Sequence, residues 1–501
     1  MNYQNHPHAI ILAIAAVATT VLRADVTPNP LFTDGAVLQR DKPVPVWGTA
    51  RDGEKVTVEF ENQKLNTTAA DGKWSVKLKP LKAGGPFTMT ITGDNQVTVK
   101  DLLVGEVWLC SGQSNMHFRM VSVENSTQEI AAANDPNLRF FNVPQQMAQS
   151  PTTALQGDWK RVSPETAGEC SAVAYYFGRE LQQKLGVPVG LLISSVGGTR
   201  IESWMRAETL AATGESTDLV KKWSDISAME FARIGAEYSA FQYQRDQVHP
   251  KAAKEAKAQG QPVPPPPVAP KIRTHDCPSA LHNGMIAPLQ PFAIRGAIWY
   301  QGESNSGQPA PYEKLLPALI GDWRRVWGEP FPFLFVQIAP HRNTHPAFRE
   351  AQLRIWQKTP LTAMAVTADV GDANNIHPTR KEPVGQRLAL AAQVLAYGER
   401  VEYSGPIYDT MKPKDGKIVL NFKHVGGGLI SKDGELKGFT IAGADKKFVP
   451  AKAAIQGSTI IVSAEGVADP NAVRYGWANV PDVNLFNHEG LPASPFRTDS
   501  D

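Results

Sequence analysis

The sequence predicts an α/β protein: a parallel sheet with helices on both faces, flanked by a β-rich region at each end. Three observations carry this. Between residues 103 and 397, apolar runs alternate with segments of helical periodicity. The runs are apolar throughout, as strands buried on both faces of a parallel sheet must be. Before residue 103 and after residue 397 the pattern changes to short alternating strands separated by Gly and Asp-Gly turns.

Residues 1–24 read as a signal peptide. His8 to Leu22 is almost wholly apolar, yet shorter than the roughly 20 residues that span a bilayer. Ala24 offers a small residue at a cleavage point before Asp25. The segment before His8 has no Lys or Arg, and Leu22 replaces the usual small residue at −3, so an uncleaved anchor is the alternative. The expectation is export, periplasmic or extracellular, with no stable membrane insertion once the leader is removed.

Residues 25–102 predict a β-sandwich from Val44–Gly48, Lys55–Phe60, Trp74–Leu78 and Phe87–Thr92, with Asp71-Gly72 as a hairpin turn. The strands of the 103–397 domain are Val104–Leu109, Leu138–Val143, Val189–Ser195, Ile294–Tyr300, Phe331–Ile338 and Leu361–Thr367. One helix carries Val173, Tyr176, Phe177, Leu181 and Leu185 on one face; another carries Tyr312, Leu315, Leu316, Leu319, Trp323 and Val326. A helical and Pro-rich insertion interrupts the domain over about 204–278. It either shapes a substrate rim or elaborates the surface, and surface elaboration is the simpler expectation. Residues 398–501 predict a second β-sandwich, from Lys417–Phe422, Gly438–Ala442 and Thr459–Ser463.

Charge and cysteine content narrow the function. The 51 basic and 49 acidic residues nearly cancel, so no nucleic-acid partner is expected. Three cysteines, Cys110, Cys170 and Cys277, make no disulfide scaffold and no metal spacing. A single Cys170–Cys277 bridge is the pairing to examine. No metal and no cofactor is expected, and oligomeric state is not legible.

Four segments follow predicted strands, where active sites of such sheets lie. Cys110-Ser111-Gly112-Gln113-Ser114-Asn115-Met116 presents Ser114 in a Gly-containing turn. A serine there needs a base and stabilisation of the oxyanion it creates. Ser194-Ser195-Val196-Gly197-Gly198-Thr199-Arg200 offers a Gly198 N–H as oxyanion donor. Trp299-Tyr300-Gln301-Gly302-Glu303-Ser304-Asn305 offers the Gln301 amide, with Glu303 and Asn305 in support. Asp369-Val370-Gly371-Asp372-Ala373-Asn374-Asn375-Ile376-His377-Pro378 offers His377, an imidazole suited to deprotonate a serine. Each segment alone also reads as an ordinary turn or helix cap.

Taken in order, GQSNM, GGT, QGESN and IHP resemble the four blocks of the SGNH hydrolases, and more closely the sialate O-acetylesterase family and related acetylxylan esterases. Leu281–Leu289 is similar to the family segment before the third block. The resemblance implies an SGNH, flavodoxin-like three-layer α/β/α domain. It implies acyl transfer, with Ser114 as nucleophile, His377 as base, and an oxyanion hole of Ser114 N–H, Gly198 N–H and Gln301. Many such enzymes carry Asp three residues before the His; here Asn374 stands there. The acid is then Asp372, or Asp369, or the site is a dyad. The implied partner is an acetylated carbohydrate, sialate or plant glycan, with Arg200, Trp204 and Arg119 as candidate substrate contacts. Two rivals remain: a non-catalytic glycan-binding protein on the same scaffold, and a thiol enzyme using Cys110, which as the end of a buried strand reads instead as an inert small hydrophobe.

Overall fold

The computed structural model describes residues 25–270 and 272–499; residues 1–24, read above as a signal peptide, lie outside the described residues. The protein is of mixed α/β type, with one large mixed sheet and further antiparallel sheets. The central strands are β1 (Gln96–Gly112), β2 (Asp135–Asn142), β3 (Trp159–Val162), β4 (Val189–Ser195), β5 (Gly296–Tyr300), β6 (Phe333–Val336) and β7 (Thr362–Ala365). Their spatial order is β3-β2-β4-β1-β5-β6-β7. Every neighbouring pair is parallel except β3–β2. All six apolar runs of the sequence fall on these strands; the antiparallel edge strand β3 was not foreseen.

Chain order reverses at β1. The chain runs from β1 to one side through β2 and β4, then to the other side through β5, β6 and β7. A crevice opens outside the carboxyl end of the strand where such a reversal occurs, and Ser114 stands two residues beyond that end.

Successive side chains of a strand point to opposite faces, and each face has its own core. Leu109, Ala297, Trp299, Phe333 and Phe335 belong to one apolar cluster. Trp108, Cys110, Ile298, Tyr300, Leu334 and Val336 belong to the other. On the second face lie α1 (Ala172–Leu185) and, late in the chain, the helix Glu382–Tyr397. Ser171 caps α1, its side chain accepting the Ala174 N–H at 3.3 Å. Gly186, left-handed at φ +64°, ends it. The Glu382–Tyr397 helix closes on α1 at Gly385, where a Cβ would stand 2.6 Å from that of Tyr176. The helix Pro309–Trp327 buries Tyr312, Leu315, Leu316, Leu319 and Trp323 in the first cluster. Full burial of each such side chain contributes about 1.5–3 kcal/mol.

β1 is continuous through residues 102 and 103. Its first half pairs antiparallel with Gly84–Thr92 in the N-terminal region, and its second half enters the central sheet. One strand thus ties the two regions together. At the other end, Ile407–Lys414, Lys417–Lys423, Thr459–Ser463 and Lys452–Gln456 form an antiparallel sheet over a separate core. All three cysteines are free and buried, so the Cys170–Cys277 bridge is not formed.

Gly112 ends β1 at φ +140°, and a Cβ there would stand 2.2 Å from the Tyr300 carbonyl oxygen. Gly112→Ala therefore combines a disfavoured backbone with a main-chain clash. It is expected to destabilise the fold by about 2–4 kcal/mol, read as a lowered Tm in calorimetry.

Candidate active site

The carboxyl ends of β1, β4 and β5 are level. Gly112 is paired in register with Ser195 on one side and Tyr300 on the other. The turns that follow therefore converge, although more than a hundred residues separate the second from the third. They open into a cavity of 970 Å³ whose wall includes Ser114, Gly197, Gly198, Glu303, Ser304 and His377.

Ser114 opens a helical turn, Ser114–His117. Its N–H has no carbonyl one turn back to bond, so it is a donor in waiting. The glycine turn abuts it: a Cβ on Gly197 would sit 3.4 Å from Ser114 Cβ. Gly198 is left-handed at φ +75°, a conformation that favours glycine. Gln113 joins the first turn to the third, its Oε1 accepting the Gly302 and Ser304 N–H groups, both at 3.3 Å.

His377 is half-buried on the same wall. Burial, and then the neighbouring Lys381 cation and His341, hold its imidazole below the ordinary value of 6.5. The backbone N–H of His377 donates to Asn375 Oδ1 at 2.9 Å. Among the described residues Ser114 makes no hydrogen bond to His377, and no carboxylate lies within ion-pair reach of the imidazole. Catalytic hydrogen bonds in an empty site often tighten only once substrate binds.

The two aspartates proposed from sequence have other partners. Asp369 is held bidentately by Arg387, at 2.8 and 2.7 Å. Asp372 is exposed and accepts the Asn374 and Asn375 N–H groups at 2.8 and 3.1 Å, which shapes the loop carrying His377. Asn374 itself is exposed.

Several other residues stand elsewhere than expected. Gln301 is wholly buried and does not reach the cavity. Its Nε2 donates to the Thr199 carbonyl at 3.1 Å and to Asn305 Oδ1 at 2.8 Å, while its Oε1 accepts from Tyr312. With both amide hydrogens engaged, it is a strut between turns rather than an oxyanion donor. Asn305 completes the strut, accepting the Ile201 N–H and donating to Glu202. Trp204 is also buried, edge-on to Trp299 with ring centroids 6.0 Å apart, so it is core and not a sugar platform. Arg200 pairs with Glu202 at 2.8 Å and does not line the cavity. Arg119 does line it and is exposed, and its guanidinium makes no hydrogen bond or ion pair among the described residues. Cys110 is fully buried, which drives its thiol pKa up and disposes of the thiol nucleophile.

Of the two readings of the insertion, the rim holds and the surface elaboration does not: Tyr238, Phe241 and Tyr243, from its helix Ala228–Tyr243, and Arg273 form a wall of the cavity. Two features escaped sequence reasoning. A second imidazole, His117, lines the cavity one helical turn beyond Ser114; that spacing was the available signal. Beneath Ser114 and His377 lies a buried polar cluster. Asn115 Nδ2 donates to Glu303 Oε1 and to the Ile376 carbonyl, and its Oδ1 accepts from Lys381 Nζ. Glu303 Oε2 is shielded from solvent without a hydrogen-bond partner. Burial raises the Glu303 carboxyl pKa and lowers that of Lys381, and each partly offsets the shift of the other.

Fold and site together define an α/β ester hydrolase: a serine, a glycine turn and an imidazole share one cavity at the reversal point of the sheet. Comparison with known proteins agrees. A family model described as carbohydrate esterase, sialic acid-specific acetylesterase, matches residues 104–233 and 277–394. Sialate O-acetylesterase of Rattus norvegicus is 31% identical over 513 residues, covering 90% of each chain. That of Homo sapiens is 30% identical over 512 residues, covering 90% of this chain and 88% of its own. The crystal structure of a carbohydrate acetylesterase from Xanthomonas citri is 38% identical, with a TM-score of 0.81 over 95% of this chain and 100% of its own. The chain belongs to the sialic acid-specific acetylesterase family of carbohydrate esterases. It is a carbohydrate O-acetylesterase.

The environment of His377 has a direct readout. Because its charged form is disfavoured by burial and by Lys381, an NMR titration of the imidazole should have its midpoint below 6.5. A midpoint at or above that value would contradict the geometry.

Proposed function

We propose that this carbohydrate O-acetylesterase works through Ser114 and His377 and acts on O-acetylated sialic acid. One observation carries the mechanism: Ser114, the Gly197-Gly198 turn and His377 share a single cavity wall. In the proposed reaction, His377 removes the Ser114 proton as Oγ attacks the acetyl carbonyl carbon. The N–H groups of Ser114 and Gly198 receive the oxyanion. Collapse releases the sugar hydroxyl, protonated by His377, and leaves acetyl-Ser114. Water, deprotonated by His377, then releases acetate. Asp372 supports the base by holding its loop, and Glu303 Oε2 is the buried carboxylate oxygen on the same cavity that still lacks a partner.

The finer reading of the fold is the SGNH three-layer arrangement. It is supported by the β4-β1-β5-β6-β7 order and by the separate apolar clusters on the two faces of the sheet. The flanking antiparallel regions are read as β-sandwiches that buttress it. Export rests on the leader alone.

The acidic substrate is supported by Arg119, a guanidinium on the cavity wall without an acidic partner, and by the names of the rat and human relatives. A cation in that place attracts a sugar carboxylate.

Ser114→Ala and His377→Ala should each reduce acetate release from a chromogenic acetyl ester by at least about a thousandfold. His117→Ala should leave that small-ester activity largely intact, since His117 is read as a cavity residue and not the base. Full activity in Ser114→Ala would end the mechanism. For the sugar, Arg119→Ala should raise KM for an O-acetylated sialic acid by roughly tenfold and leave acetylated xylo-oligosaccharide unchanged. Equal effects on both, or preference of the wild type for the neutral glycan, would reject the acidic substrate.

A further inference from the structure

The side chain of Lys381 is buried to 1% exposure, directly behind the two residues assigned to the chemistry. A buried lysine costs folding free energy unless its charge is met, so its partners need an account. Its Nζ donates to Asn115 Oδ1 and lies over the rings of Phe118 and Tyr300, 4.8 and 5.4 Å from their centroids. Glu303 is the nearby carboxylate. These four contacts come from three parts of the chain: Asn115 and Phe118 from the turn after β1, Tyr300 from the end of β5 and Glu303 from the turn that follows it.

Asn115 is the hub. It follows Ser114 directly, and its amide reaches the carbonyl of Ile376, which precedes His377 directly, at 3.1 Å. One side chain thus spans from the residue beside the serine to the residue beside the imidazole. A side-chain amide can bind either way round unless its neighbours decide. Here they do. Ile376 O and Glu303 Oε1 only accept, so they call for the NH2 group; Lys381 donates and calls for the oxygen. Removing the lysine leaves Oδ1 buried without a donor and weakens the choice.

We propose that Lys381 is a positioning residue of the reaction: it locks the Asn115 amide, and through it holds the His377 loop against the turn that carries Ser114. The inference rests on the Ser114–His377 reading and deepens it. The charge has a second effect, since the cation disfavours protonation of His377 and so keeps the base neutral to lower pH. The groups facing the lysine are Glu303, Tyr300 and His377, and His341 acts on His377 in the same sense as the lysine.

The test compares K381M, which loses donor and charge, with K381Q, which keeps a donor and loses the charge. A small acetyl ester serves as probe, with Tm as the check on folding. K381M should lower kcat by about tenfold to a hundredfold, leave KM within about twofold, and move the acid limb of kcat/KM to higher pH. K381Q should recover much of kcat while its acid limb stays displaced. Wild-type kcat in K381M, or a loss of kcat with the limb unmoved, overturns the proposal, because a purely structural lysine would not shift the limb. If K381M does not fold, K381Q decides alone: a displaced limb supports the proposal and an unmoved one overturns it. Ser114→Ala is run beside them. Activity surviving there overturns the site reading and this inference together, whereas an inactive Ser114→Ala with wild-type behaviour in both lysine variants overturns the inference only.

Discussion

Gly112 and the Tyr300 carbonyl occupy neighbouring space that no side chain could share, and the active-site cavity is organised around that contact. The absent Cβ lets β1 and β5 run together to their last residues. The register with Ser195 then places three strand ends side by side. Because strands before the insertion lie on one side of β1 and strands after it on the other, a crevice opens where the turns beyond these ends meet. Ser114 reaches that crevice because the turn after Gly112 is short, and the Gly197 turn lies against it.

Behind this surface the polar groups are layered. Gln301, Asn305 and Tyr312 form a fully bonded strut that joins the second and third turns. Gln113, Asn115 and Lys381 join the first turn to the third and to the His377 loop. Buried polar side chains of this kind are tolerated only when they are satisfied, and nearly every hydrogen-bonding atom in these two layers has a partner. Glu303, which bonds Asn115 from the third turn, keeps one buried oxygen, Oε2, without a partner.

The insertion changes the character of the site. Without the helix Ala228–Tyr243 the crevice would be an open edge of the sheet; with it, aromatic rings and Arg273 face Ser114 across the cavity. Such a wall offers apolar ring faces beside Arg273, whose guanidinium is held by Asp276 at 2.9 and 3.0 Å. The core enzyme and the elaborated rim are therefore built from different kinds of sequence. Dense apolar strands form the first, and a charged, Pro-rich excursion forms the second.

What the sequence determined by itself was local in origin. Apolar runs and helical spacing are properties of neighbouring residues, so six strands and two principal helices could be read directly. Ser114 and His377 could be singled out as candidates because each follows a strand in a loop shaped by Gly or Pro. The tertiary structure alone decided which polar groups are free. Gln301 had the composition of an oxyanion donor, but Thr199 and Asn305 use both its hydrogens. Asp369 had the charge of a triad acid, but Arg387, 18 residues later, holds it bidentately. Trp204 had the shape of a sugar platform, but it packs on Trp299. Lys381 carried no signal in the sequence, and it is sealed beneath the site. Each of these outcomes depends on pairings that come into being only when distant turns meet at the sheet edge. A hydrogen-bonding group's availability is set by that meeting, not by its neighbours along the chain.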